Sequence, residues 1–425
     1  MKFYGDFHIH SSHSRACSKD LDIKNLEKYA RMKGLHIIGT GDFQHPKWIK
    51  ELKTNLTDDG SGILKTKTDF PFICTSEISL MYTQDKKGRR IHFLLFAPNL
   101  EVVDQITEAL KKRGRIDYDG RPIFGFSAIE LVEMMNSISE KIEIVPAHSW
   151  TPWFGIFGEK TGFDSLEECF QEKTKYIHAI ETGLSSDPAM NWRVPFLDKI
   201  NLLSFSDLHS YWPWRIGREA TIFNLKNLSY DSLLKAIRTS EGLTGTLEFF
   251  PEEGKYHWDG HRNCNVVLSP QESQKLGGIC PKCGNKLTLG VEYRVEQLAK
   301  RPIGFKPKNA KEFYSLIPLS EIIQFHCNQN TPASKKVWEI YTKLIKEFNN
   351  ELNILLDVSQ QDLEKVVEKE LADKIVKVRN KEVYVFPGFD GEYGKIFFDK
   401  KEYETALKTK DLTKKTKTQK NLLDF

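Results

Sequence analysis

Near the N-terminus, Asp6-Phe7-His8-Ile9-His10 places two imidazoles two residues apart. Alternate side chains of an extended strand share a face. His8 and His10 therefore point the same way, with Asp6 beside them. Neutral imidazoles and ionised carboxylates are natural ligands for Zn²⁺, Mn²⁺ or Fe. This pair is half a metal site, and the first half of the chain offers the remainder in pieces: Asp42, Glu77, His92, His148, Asp207 and His209. Such groups are costly in a barrel mouth unless something coordinates them. A cation held by such groups lowers the pKa of bound water and polarises oxygen, so the expected chemistry is metal-assisted hydrolysis.

The elements that must position these groups read as alternating strands and helices over residues 1–240. Asp22 is placed to cap a helix over 23–33 that ends at Gly34. Apolar runs at 35–40, 72–76, 91–96, 143–147, 176–180 and 202–205 predict strands, with helices around 101–113 and 127–139 and a hairpin turn at 86–90. Acids and imidazoles recur at strand ends, as on the catalytic rim of a parallel α/β barrel. About seven strands predict a distorted barrel of that kind. From 241 to 305 Gly, aromatic, His and Cys residues dominate and predict a small module. Residues 306–404 read as mainly helical, with runs at 334–349 and 359–372 and short strands at 375–386 and 394–398. The stretch 405–425 reads as a flexible basic tail.

The chain has 425 residues, which fits two or three domains. Its seven cysteines are an odd count without a secretion signal, which argues against a disulfide framework. No apolar run is long enough to span a membrane and no signal peptide is evident, so the expectation is a soluble cytoplasmic protein. A net charge of +4 does not by itself announce nucleic-acid binding, although Lys is concentrated between 408 and 420.

The motifs Asp6-Phe-His8-Ile-His10-Ser11, Gly41-Asp42, Ser76-Glu77 with Ile91-His92, Ala147-His148-Ser149 and Ser206-Asp207-Leu208-His209 resemble the polymerase and histidinol phosphatase (PHP) family of metal-dependent phosphoesterases. The resemblance implies a distorted (β/α)7 PHP barrel with up to three divalent ions (Zn, Mn or Mg). By position, it implies one ion on His8, His10, Glu77 and Asp207. Glu77 would bridge to a second ion shared with His92 and His148, and His209 would belong to a third. The family commonly shows Asp-His where this chain has Asp42-Phe43. Asp42 is therefore expected as a ligand, with His13 and His45 as supporting candidates.

A second constellation is His261-x2-Cys264 followed by Cys280-Pro-Lys-Cys283-Gly. Its spacing reads as a closed structural zinc site with three Cys and one His, with His257 competing for the fourth place. Two aromatic clusters follow ligand motifs. From them Trp150, Trp153, Phe154, Tyr211, Trp214 and Arg215 are candidates for stacking on bases or reaching phosphates, with Arg218 a further phosphate candidate. The C-terminal Gln419, Leu422 and Phe425 fit Gln-x-x-Leu-x-x-Phe, which resembles a box that binds the sliding clamp PCNA.

Barrel, zinc module, helical segment and clamp box in this order resemble the endonuclease Q family over essentially the full length. That resemblance implies a DNA repair endonuclease. It would cleave duplex DNA 5′ to a deaminated base (hypoxanthine, uracil, xanthine) or an abasic site. The rival expectations are a small-molecule phosphatase of the histidinol-phosphatase type and a non-catalytic DNA-binding subunit.

Overall fold

The computed structural model describes residues 1–409, and the chain divides into two compact units. The first comprises 1–31, 35–247 and 298–313. The second comprises 32–34, 248–297 and the segment from 314 onward.

In the first unit, β1 (Lys2–Asp6), β2 (Ile37–Gly39) and β3 (Pro71–Gln84) are neighbours in parallel. β3 turns back into β4 (Lys87–Ala97) as a long antiparallel hairpin. Its turn residues Asp85 and Lys86 have φ of 52° and 62°, as the right-handed twist of a tight hairpin requires. β4 lies antiparallel to β5 (Glu143–Pro146). β6 (Ala179–Glu181) and β7 (Asn201–Leu203) form a separate parallel pair. β8 (Ala220–Asn224) runs antiparallel to β1 on its other side, and to β9 (Leu243–Glu248).

Where the ladders stop, isolated hydrogen bonds carry the ring onward. Ser149 N donates to Glu181 O at 3.1 Å, joining the end of β5 to β6. Thr221 Oγ1 accepts from Ser204 N and donates to Ser204 O, joining the end of β7 to β8. The outcome is a distorted barrel with mixed strand directions. The hairpin expected near 86–90 is present, and it joins the antiparallel pairs β4–β5, β1–β8 and β8–β9 in giving the barrel mixed rather than all-parallel strands.

The interior takes side chains from every wall: Phe3, Phe7, Ile37, Ile73, Leu94, Val145, Ala179, Leu203 and Phe223 form one buried cluster. Helices α1 (Ile23–Lys33), α2 (Pro46–Asn55), α3 (Leu100–Lys111), α4 (Ala128–Ile138) and α5 (Tyr230–Thr239) accompany the strands. The expected cap of α1 is present, with Asp22 accepting from Asn25 N at 2.7 Å. α5 inserts Tyr230, Leu233 and Ile237 into the barrel cluster, burying one amphipathic face.

In the second unit, β10 (Asp259–His261) and β11 (Val266–Leu268) form a short hairpin. Helices α6 (Leu319–His326), α7 (Lys335–Phe348), α8 (Glu351–Leu356), α9 (Gln360–Glu364) and α10 (Lys369–Arg379) follow. Strands β12 (Tyr384–Phe386) and β13 (Lys395–Phe397) and helix α11 (Lys400–Thr409) complete it. The strand expected over 375–386 is half helix, because Ile375 and Val378 are buried at helical spacing in α10. The tail expected from 405 begins inside α11, whose Ala406 and Leu407 pack on Phe386 and Phe389.

Candidate metal centre

β1 and the residues after it realise the alternation expected of them. Phe7 and Ile9 are fully buried, with the Phe7 ring against Phe96, Phe205 and Phe223. His8 and His10 emerge on the other side. Ile9 bridges to Leu208, and His10 N donates to Leu208 O at 3.2 Å, which brings Asp207 alongside both imidazoles. Asp6 is no part of the donor set. It accepts from Ser206 N, Ser206 Oγ and Gly217 N, tying the turn before Asp207 to β1, and burial raises its pKa to about 6.

Glu77 lies inside β3 rather than at its end. Ser79 pairs directly with His92 in the hairpin, so Glu77, two residues back on the same face, is diagonal to His92. His92 Nδ1 sits 2.7 Å from Glu77 Oε1, and His148 Nε2 is 3.1 Å from the same oxygen. Two donor groups result: His8, His10, Glu77 and Asp207, and Glu77, His92 and His148. Within each, one ligand atom per residue lies within 4.8 Å of all the others. Glu77 belongs to both.

These residues fit divalent ions on the strength of one atom in particular. His8 Nε2 is buried without a hydrogen-bond partner, 3.5 Å from both Glu77 Oε2 and Asp207 Oδ1. A buried imidazole nitrogen aimed between two carboxylates is a ligand arrangement. Burial pulls the pKa values of His8 and His10 down, but the surrounding carboxylates outweigh it and hold both well above the usual imidazole value. Burial opposes ionisation of Glu77 too, yet His92, Arg121 and His8 keep it well below the usual carboxylate range. The cluster thus stabilises positive charge at its centre. His92, whose burial prevails, falls to about 4 and is a neutral ligand at physiological pH.

Two carboxylates that sequence reasoning misassigned or missed orient the ligands. Both oxygens of Glu181 lie 3.0 Å from His8 Nδ1, and Oε2 also accepts from His148 N at 2.6 Å. Glu181 ends β6, a strand that was expected to stop one residue earlier. Asp42, expected as a ligand, has its oxygens engaged elsewhere. Oδ1 is 3.1 Å from His10 Nδ1, and Oδ2 accepts from Ser11 N, Ser11 Oγ and Ser14 Oγ. It holds the tautomer of His10, as Glu181 holds that of His8.

His209 lies beside the centre without joining either donor group. Its ring is 4.7 Å from that of His10, and its Nδ1 is 3.0 Å from Asp207 O. His13 and His45 stack on each other, and His13 also reaches Glu51. Asp42, His148 and Asp207 all have positive φ, of 44°, 30° and 46°. Non-glycine residues pay for this conformation, and it clusters at functional sites. Gly183 makes the turn at His148 possible, since a Cβ there would stand 2.6 Å from His148 Cα.

The aromatic candidates separate. Trp150 is fully buried, its Nε1 donating to Asn191 Oδ1, so it is core and cannot stack on a base. Trp214 and Arg215 are also buried, with Trp214 stacked on Trp212. Trp153 is 37% exposed. The Phe154 ring covers His92 at 4.5 Å, and Tyr211 stacks on Tyr29. Arg218 is buried and donates to Ser206 O.

In the second unit, His261, Cys264, Cys280 and Cys283 converge, and His257 is not among them. Cys280 is part of the small apolar cluster with Val266, Leu268 and Leu287, and Cys264 packs against it. Burial opposes thiolate formation at Cys280, but N–H groups of Lys282 and Cys283 bring its pKa down to about 6. The donor set is that of a structural zinc site. Gln419, Leu422 and Phe425 lie outside the described residues. Among the described residues no helix is long and apolar enough to cross a membrane.

Fold and donor set define a mixed α/β barrel with two candidate metal-ligand groups sharing one carboxylate, joined to a second unit with a Cys3His group. Residues 318–382 match the family described as the MJ0043 C-terminal domain. Protein MJ0043 of Methanocaldococcus jannaschii is 32% identical over 262 residues, 60% of this chain, and the chain spans 32% of that protein's length. The crystal structure of the lesion-specific endonuclease PfuEndoQ from Pyrococcus furiosus superposes with a TM-score of 0.85 at 32% identity, covering 94% of this chain and 96% of that one. A complex of Endonuclease Q with a 27-mer duplex substrate bearing an abasic lesion at the active site gives 0.84 at 32% identity, covering 95% and 98%. The chain belongs to the endonuclease Q family.

Proposed function

We propose that this chain is a DNA repair endonuclease that hydrolyses the phosphodiester 5′ to a deaminated base or an abasic site in duplex DNA. The carrying observation is the pair of donor groups that share Glu77. The related complex with duplex DNA bearing an abasic lesion supports duplex DNA with an abasic site as a substrate. Divalent ions at such a centre supply water activation and charge neutralisation at phosphate.

The chain's own residues prepare that chemistry. His8, His10, Glu77 and Asp207 would hold one ion, and Glu77, His92 and His148 a second. Glu181 and Asp42 fix the His8 and His10 tautomers so that Nε2 of each faces the centre. Phe154 shields one side of His92, and Trp153, its neighbour in sequence and partly exposed, is the candidate left from the 150–157 run for stacking on an unstacked base. A damaged or mispaired base costs less to extrude than a paired one, which gives part of the selectivity. His261, Cys264, Cys280 and Cys283 would hold one structural zinc. Gln419, Leu422 and Phe425 would engage a sliding clamp.

The test is a labelled duplex carrying one deoxyinosine, deoxyuridine or abasic site, incubated with Mg²⁺, Mn²⁺ or Zn²⁺. A single nick 5′ to the lesion is expected. Phosphate release from small monoesters alone, or DNA binding without cleavage, overturns the proposal.

A further inference from the structure

Between α3 and α4 the chain makes an excursion to the metal centre that no candidate motif anticipated. Its tip, Asp119-Gly120-Arg121, is fastened on three sides. Gly120 N donates to His13 O at 3.1 Å, and Gln44 Nε2 donates to Gly120 O at 2.5 Å. Asp119 Oδ1 accepts from Arg15 N and Arg121 N. Gly120 sits so close to Asp42 Oδ2 and Ser14 Oγ that any Cβ would collide with both. The backbone is thus locked onto the same Asp42 cluster that orients His10.

What this delivers is one guanidinium. Arg121 Nη1 donates to Glu77 Oε2 at 3.1 Å, on the carboxylate common to both donor groups, and the side chain remains 26% exposed. Glu77 already faces imidazoles of His8, His10, His92 and His148. Arg121 adds a fixed cation beside the positions that two divalent ions would take, and an anionic phosphate oxygen is a natural partner for the donors that Glu77 leaves unused. A guanidinium presents five N–H donors in a fork that matches phosphate oxygens, and Glu77 uses one side of it.

We infer that Arg121 is a substrate-anchoring catalytic residue that donates to a non-bridging oxygen of the scissile phosphate while resting on Glu77. The inference depends on the nuclease reading above. Removing a preorganised donor of this kind typically costs about 10²–10³ in rate.

The test compares full-length wild type, Arg121→Ala and Arg121→Lys on a lesion-bearing duplex. It reads metal content after identical loading, duplex affinity, single-turnover rate, and recovery by free guanidinium ion. R121A is expected to keep wild-type metal content and to bind the duplex within about threefold, while losing about 10²–10³ in rate. Added guanidinium should restore part of the R121A rate. R121K, a point charge without the fork, should fall between the two. Unchanged R121A cleavage overturns the inference alone, as does rate loss that parallels metal loss, since Arg121 would then only hold Glu77. A wild type that nicks no duplex overturns the nuclease reading and this inference with it.

Discussion

The two candidate metal groups use their ligands in opposite ways. In the barrel, the donors are nitrogen and oxygen atoms mounted on walls that a separate apolar cluster already holds together. In the second unit, Cys280 is itself a member of the apolar cluster it would close, and Cys264 packs against that cluster. A centre whose scaffold stands without it can keep coordination positions open for reactants. A centre that substitutes for a core cannot, because its ligands are needed to fold the module.

The sharpest way to break this contrast is Glu77→Gln. It removes the charge shared by both barrel groups, so DNA cleavage should fall at least about 10³-fold, given that metal activation carries the reaction. The thermal midpoint should stay within a few degrees, and collapse of the fold on this substitution would erase the distinction. Cys280→Ser should do the reverse. Measured by zinc content and protease sensitivity, it should release the metal of the second unit and open residues 257–290 to digestion. The barrel ligands would stay in place, and metal content at the barrel should hold.

Two smaller effects refine the barrel side. Glu181→Gln leaves every ligand in place but loosens His8 and the His148 backbone, so metal affinity should drop about 10–100-fold, read by competition with a chelator. Acidification should weaken the same centre. His8 and His10 have raised pKa values and must be deprotonated on Nε2 to bind an ion, so protons compete increasingly as pH falls through neutrality. Dialysis at pH 8, 7 and 6 should show barrel metal content declining in that order. Equal retention would show that the carboxylates, not the imidazoles, govern binding.

Much of the centre was legible because it obeys periodicity. His8 and His10 share a face because strands alternate, and α1 begins where Asp22 can cap it. The sequence does not show which way a side chain's hydrogen bonds run. Asp42 and Glu77 are both acids beside strands, yet one supports an imidazole and the other faces the metal position, a difference set by Ser11 and Ser14. Trp150 and Trp153 are three residues apart in one aromatic run. Asn191, distant in sequence, claims the first for the core. Arg121 stood in no motif, because its position depends on Gly120 meeting a side chain nearly eighty residues earlier.

The left-handed backbone at Asp42, His148 and Asp207 sets stability against chemistry at those three places. Glycine relaxes such a conformation better than any other residue, so replacing any of them with glycine would ease the folded chain locally while deleting an imidazole or carboxylate that the centre uses. A search for hardier versions of this protein that scored only heat resistance would therefore drift toward well-folded chains that cut nothing.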